Sequence, residues 1–210
     1  MPRPVDSGAL HLWSLHEDVV VEHGDEEGEL VLRSPHGTER ITRPDPLVRE
    51  ALRRMELGPV LLANIAADGA VEGALVVLLP VLDRLSHLIV RTLSWEDLRG
   101  PLLSVVPNSG NSAFTPVTVS AQRLIRLIGD VSLTLEKAGF ALGSAGSAHR
   151  VQLHRPEAVW VVALLAWPVT PSQASSALPL PPPVTHAVLS YLVAAGMTED
   201  CGSAEAQALP

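Results

Sequence analysis

The sequence predicts an α+β chain made of two copies of one small module, each a three-stranded antiparallel sheet followed by three helices. Three observations predict it. First, a single offset carries Leu15 onto Leu127, Asp18 onto Asp130, Val19 onto Val131 and Val21 onto Leu133. The same offset carries Arg43-Pro44-Asp45 onto Arg155-Pro156-Glu157 and Ala51-Leu52 onto Ala163-Leu164. Self-similarity at a fixed period marks a repeated unit. Second, within each copy the pattern reads as strands broken by turns and then switches to helical spacing. Third, a length of 210 residues is too great for one minimal domain and suits two small ones.

In the first copy Trp13 to Glu22 is rich in β-branched residues and reads as a strand. Gly24-Asp25-Glu26-Glu27-Gly28 is a turn, because Gly supplies positive φ and Asp makes local bonds. Glu29 to Arg33 is a second strand, Ser34-Pro35-His36-Gly37 a second turn, and Thr38 to Thr42 a third strand. Asp45 then caps a helix that opens on Pro46, where a missing N–H costs nothing, and Gly58 closes it. Leu47, Val48, Ala51, Leu52 and Met55 give this helix its apolar face. Pro59 to Ala66 reads as a short helix ending before Asp68-Gly69, and Val71 to Leu85 as a third, with Pro80 a kink. Leu88 to Leu93 is a final strand or wing.

The second copy repeats the order. Its strands are Gln122 to Glu136, Phe140 to Gly143 and His149 to His154. Its helices are Pro156 to Ala166, Pro171 to Ala177 and Pro183 to Ala195. Trp160, Val161, Ala163, Leu164 and Trp167 make the first of these apolar almost all round, so it should be deeply buried, in a structural or dimer-forming role. The boundaries are a disordered start (1–10), a first module (11–94), a linker (95–120) built around Pro107-Asn108-Ser109-Gly110-Asn111-Ser112, a second module (121–198) and a disordered tail (199–210).

Composition limits the function. A formal net charge of −8 argues against DNA, whose binding depends on neutralising phosphates. Cys201 is the sole cysteine, so no intrachain disulfide or cysteine-held metal cluster is expected. No apolar run is long enough to span a membrane, and Met1 to Ala9 lacks the pattern of a signal peptide. A cytoplasmic protein without nucleic-acid or membrane partners is expected.

Catalytic motifs are wanting. Gly143-Ser144-Ala145-Gly146-Ser147 lacks the Lys-Ser/Thr ending of a phosphate loop and reads as a hairpin turn. Asp25, Glu26, Glu27 and Glu29 lack the alternation of a calcium loop and read as a solvated turn. His11 and His16, like His149 and His154, fall on opposite sides of a strand. No metal or catalytic residue is expected, and no cofactor within this chain.

Three strands followed by three helices and a wing resemble the winged-helix-like, PqqD-like domains that recognise peptides in the biosynthesis of ribosomally made, modified peptides. The doubled arrangement resembles the N-terminal region of SagB-type FMN-dependent azoline dehydrogenases, which oxidise thiazolines and oxazolines. The residues that carry this are the Trp13-to-Thr42 meander, Arg43-Pro44-Asp45-Pro46-Leu47, the linker, the Gln122-to-Leu153 meander, His154-Arg155-Pro156-Glu157-Ala158, and Val188 to Gly196. In such enzymes a nitroreductase-like flavin domain follows, about where these residues stop at Pro210. The resemblance therefore implies FMN only in a partner or further domain.

It also implies a site. In the resembled domains the leader peptide of a precursor adds beside the third strand and packs against the third helix, by strand addition to an open edge. Here that edge is His36 to Thr42, with Thr38, Glu39, Arg40, Ile41 and Thr42 as peptide-binding residues. Leu78, Val81, Leu82 and Arg84 would face it from the helix. Arg33, Arg40 and Arg43 suit an acidic leader. The second copy offers Ala148 to His154. The implied partners are a leader peptide, a flavin dehydrogenase or cyclodehydratase subunit, and a second copy of the chain. The alternatives are a subunit that completes a flavin-dependent azoline dehydrogenase, and a winged-helix DNA-binding regulator.

Overall fold

The structure is a computed structural model and describes residues 8–24, 28–35, 37–65, 71–97, 99–110 and 112–203. The acidic residues Asp25 to Glu27, His36, Asp68-Gly69, the start up to residue 7 and the tail from 204 lie outside the described residues. In chain order the elements are β1 (Ala9–Leu15), β2 (Val20–His23), β3 (Leu30–Ser34), β4 (Gly37–Ile41), α1 (Pro46–Leu57), β5 (Val60–Leu61), α2 (Val71–Arg84), β6 (Ile89–Trp95) and β7 (Pro101–Pro107). Then come β8 (Arg123–Leu127), β9 (Ser132–Glu136), β10 (Gly139–Gly143), β11 (His149–Leu153), α3 (Pro156–Leu164), α4 (Pro171–Ala177), α5 (Pro182–Ala194) and β12 (Thr198–Ser203).

The class is α+β, but the tandem of winged-helix-like modules is overturned. Seven strands form one sheet, in the order β5-β1-β6-β7-β11-β10-β9. Strands β2-β3-β4 form a separate three-stranded sheet, and β12 pairs with β8 in a third. The cause is local. The run Trp13 to Glu22, read as one strand, breaks at a turn closed by Val19 N–H donating to the His16 carbonyl at 2.9 Å. The run Gln122 to Glu136 breaks at the corresponding turn, where Val131 N–H donates to the Ile128 carbonyl at 3.1 Å. Each break sends the two halves of the run into different sheets. Strand patterning reports a half-buried strand and does not say which sheet receives it.

Other expectations change with it. Pro59 to Ala66 is not a helix: Val60 and Leu61 pair with Trp13 and Leu12, and a 3-10 turn, Leu62–Asn64, follows. The wing expected at Leu88 to Leu93 is β6, an interior strand. The stretch expected as linker contains β7, and the expected disordered tail begins with β12. The first helix of the second copy is not enclosed, since Trp160 is 41% and Trp167 is 70% exposed.

The chain divides into two compact units, one formed by residues 11–92 and 106–114 and the other by the remaining described residues. In the first unit Leu30, Leu32 and Ile41 pack in one cluster with Val48, Ala51, Leu52 and Met55 of α1 and with Leu78 and Leu82 of α2. Helix α1 forms as its sequence predicts. The Asp45 carboxylate accepts the Leu47 N–H at 2.8 Å, Pro46 takes the first position, and Gly58 ends the helix at φ 152°. In the second unit α3 and α5 bury Ala158, Val161, Val184, Val188, Leu189 and Leu192. Helix α5 closes with Gly196 N–H donating to the Val193 carbonyl and Met197 N–H to that of Leu192. That Schellman pair needs a left-handed residue, and Gly196 sits at φ 69°.

Leu52 is fully buried at the centre of the first cluster. Leu52→Ala is expected to lower stability by about 3 kcal/mol, through lost transfer energy and the cavity left behind. Urea titration followed by circular dichroism should show a lower midpoint.

Candidate functional site

Among the described residues, β4 in one unit and a cleft in the other combine exposed binding groups with defined geometry. Strand β4 is the last strand of its sheet, so among the described residues only one side of it is paired. Its register with β3 runs from Ser34↔Gly37 through Leu32↔Glu39 to Leu30↔Ile41. Two residues link the strands, so the closing pair Ser34↔Gly37 is hydrogen-bonded and the alternation follows from it. Gly37, Glu39 and Ile41 direct their backbone groups at β3. Thr38 and Arg40 direct theirs outward.

The side chains expected to bind divide between surface and core. Thr38, Arg40 and Thr42 are exposed and Glu39 is half-buried, whereas Ile41 is buried in the core. One Arg40 guanidinium nitrogen contacts both Glu29 carboxylate oxygens, at 3.1 and 3.2 Å. Glu39 lies 3.6 Å from the His87 imidazole, which brings the turn after α2 up to β4. Among the helix residues, Arg84 is exposed and Val81 half-buried, but Leu78 and Leu82 are sealed in the core and present nothing to a ligand. Arg43, just past the strand, is exposed and holds φ 49°, a conformation uncommon outside glycine. The counterpart expected in the second copy, Ala148 to His154, is no edge: β11 lies between β7 and β10.

The second place was not expected. It is a cleft of roughly 270 Å³ lined by Gly139, Phe140, Leu153, His154, Arg155, Pro156, Val159 and Trp160. Its floor is the apolar face of β10 and β11, where Phe140 stands opposite Leu153. Gly139 is required here. Its φ is 128°, and a Cβ would come within 2.5 Å of the Leu153 carbonyl oxygen.

One wall rests on a closed ion network. The Arg155 guanidinium holds Asp97 through two bonds of 2.9 Å and Glu157 through two of 2.6 and 3.2 Å. Arg99 joins both acids, at 2.8 Å to Asp97 and 3.0 Å to Glu157. Two cations and two anions cancel, so Arg155 has no charge left to offer an anionic ligand. The bonds from Arg155 hold the Asp97 and Glu157 carboxyls below their ordinary values, and those acids raise Arg155 further.

His154 Nε2 and Ser104 Oγ are 2.9 Å apart, and burial pushes the imidazole below its ordinary value, leaving it neutral at pH 7. In a Ser-His-Asp arrangement a carboxylate would hold the other ring nitrogen, and none of the described residues supplies one. Among the described residues no group of three or more His, Cys, Asp or Glu is placed to hold a metal, and no helix is long and apolar enough to cross a membrane. The cleft can take an apolar side chain on its Phe140 and Leu153 floor.

Arg155→Ala should leave Asp97 and Glu157 with only the exposed Arg99 as a cation and lower Tm by about 5 °C. Both carboxyls have folded values below their unfolded ones. The network therefore stabilises the fold fully above the unfolded values near pH 4, and the contribution is lost as pH falls through the depressed ones. Thermal melts from pH 7 to 2 should show the wild-type Tm falling below about pH 4, with a shallower fall in Arg155→Ala.

The sequence matches no family model, and no curated protein matches it.

Proposed function

We propose that this chain is a non-catalytic binding module that takes up an extended peptide by strand addition at β4. The observation that supports this most is the terminal position of β4, with the N–H and C=O groups of Thr38 and Arg40 turned away from β3. Strand addition draws its affinity from such backbone groups and its specificity from neighbouring side chains. Thr38, Glu39, Arg40 and Thr42 form the contact surface. Arg84 and Arg43 add positive charge suited to an acidic segment, while Ile41, Val81 and Leu78 hold the strand and helix from beneath.

The peptide is the leader of a ribosomally made precursor, in a cytoplasmic pathway that forms thiazoles or oxazoles. The module presents it to a flavin dehydrogenase or cyclodehydratase partner, which carries any FMN. This part of the proposal rests on the sequence resemblance alone, since the winged-helix modules it implied are not the fold found.

Titration of a fluorescently labelled leader peptide, read by anisotropy, tests the reading. Arg40→Pro removes an outward donor and leaves the inward bonds of Glu39 and Ile41 in place. It is expected to weaken binding about tenfold, the upper range for one net hydrogen bond, with an unchanged circular dichroism spectrum. Absence of leader binding by both the chain and its complex with the modifying enzyme would sink the proposal.

A further inference from the structure

Strand β9 is the terminal strand of the seven-stranded sheet, and every one of its residues is exposed. Its sequence, Ser132-Leu133-Thr134-Leu135-Glu136, puts two leucines on one face, with Leu133 47% and Leu135 72% exposed. Native sheets blunt their open edges with charges, prolines or bulges. The apolar face of β9 carries none of these, and it continues onto Phe140, which stands opposite Leu135 and is itself 36% exposed.

The hairpin fixes what this edge offers. Glu136 pairs with Gly139 across the turn Lys137-Ala138, and Thr134 and Ser132 follow in register opposite Ala141 and Gly143. A two-residue turn makes its closing pair hydrogen-bonded. Ser132, Thr134 and Glu136 therefore use their backbone groups on β10. Leu133 and Leu135 direct N–H and C=O outward, so the same two residues supply the free backbone groups and the exposed apolar side chains.

We infer that this edge is an interface with a second copy of the chain, in which β9 pairs antiparallel with β9 about a two-fold axis at Thr134. The strand is its own complement in this register. Leu133 falls opposite the partner's Leu135, and Leu135 opposite the partner's Leu133. Opposed residues of an antiparallel pair share a face, so the four leucines form one apolar stripe. Thr134 meets the partner's Thr134, and Ser132 meets the partner's Glu136. Each basic end, at Lys137, runs beside the partner's acidic end at Asp130, which is held in its own copy by the Ser144 hydroxyl at 2.9 Å.

Neighbouring registers are worse. Sliding one way sets Asp130 against the partner's Glu136, and sliding the other sets Leu133 against the partner's Lys137. Charge and apolar pattern thus select one isologous, closed pairing, and that symmetry favours a second copy over an unrelated strand. The interface is small, so the dimer is reversible, with a Kd of about 1–100 µM. This inference stands independently of peptide binding at β4.

Sedimentation equilibrium of the full chain across that concentration range should show a monomer–dimer equilibrium. Leu135→Lys should raise the dissociation constant at least tenfold while the circular dichroism spectrum stays unchanged. In a Cys201→Ser background, Thr134→Cys should form an interchain disulfide on mild oxidation. The two-fold makes it a non-hydrogen-bonded pair with Cα atoms about 4.5 Å apart, within disulfide reach. Leu133→Cys and Leu135→Cys should not cross-link. A chain that stays monomeric throughout, a dimer indifferent to Leu135→Lys, or cross-linking at Leu133 or Leu135 in place of Thr134 overturns the inference. So does a monomer whose Leu133 and Leu135 amides are protected from exchange only when the leader peptide is added.

Discussion

The two-residue hairpin turn is the constraint on which most of this molecule's logic depends. Side chains in a strand alternate with period two, and so do the directions of the backbone groups. Once Ser34 and Gly37 close the β3–β4 turn, every later residue of β4 is assigned a face and a hydrogen-bonding direction. Ile41 must join Leu30 and Leu32 on the core side, and Thr38 and Arg40 must leave their peptide groups open. The same constraint operates at Glu136 and Gly139, where it sets Leu133 and Leu135 outward. A slip of one residue in either hairpin would exchange core for surface along the whole strand.

The edges at β4 and β9 are alike in backbone and opposite in side chain. Strand β4 surrounds its outward groups with Thr38, Arg40 and Thr42, and the Arg40 guanidinium is steadied by the buried carboxylate of Glu29. A hydrated, charged fringe of this kind discourages indiscriminate pairing and leaves room for a partner that brings compensating charge. Strand β9 removes that protection from its apolar face. Its only charged strand residue, Glu136, lies on the other face and is ion-paired with Arg150. An apolar open edge is a liability in a chain that must stay unassociated, and it is what a self-pairing strand requires.

Much of the local structure was legible in the sequence, and the sheets were not. Asp45, Pro46 and Gly58 announce α1 because caps are chemistry of adjacent residues. The hairpins are announced by their turns. What failed was everything fixed by distant pairing. Trp13 to Glu22 carries no mark that its first half joins β5 and its second half joins β3. Residues 198 to 203 look like a polar tail because their partner strand, β8, lies far back in the chain, and only pairing with Arg123 and Arg126 through Asp200 and Glu199 explains them. Leu78 illustrates a subtler miss. Helical spacing correctly places it on the apolar face of α2, but a residue on that face serves the core before it can serve a ligand.

The Arg-Pro-acid step shows how far a repeat can be trusted. It occurs twice, at Arg43-Pro44-Asp45 and at Arg155-Pro156-Glu157, and in the sequence the two look interchangeable. In the first, the short Asp45 carboxylate turns back onto the Leu47 N–H and caps α1, while Arg43 stays in solvent at positive φ. In the second, the helix starts two residues earlier relative to the step, so the acid falls inside its first turn and no side chain caps it. Glu157, one methylene longer, reaches Arg155, and Arg155 reaches Asp97 across a gap of 58 residues in the sequence. One motif therefore ends a strand beside an open, charged edge in the first unit and locks a wall of the apolar cleft in the second. The two steps share residue types and differ in what their charges do, so one surface is suited to a charged extended segment and the other to an apolar one.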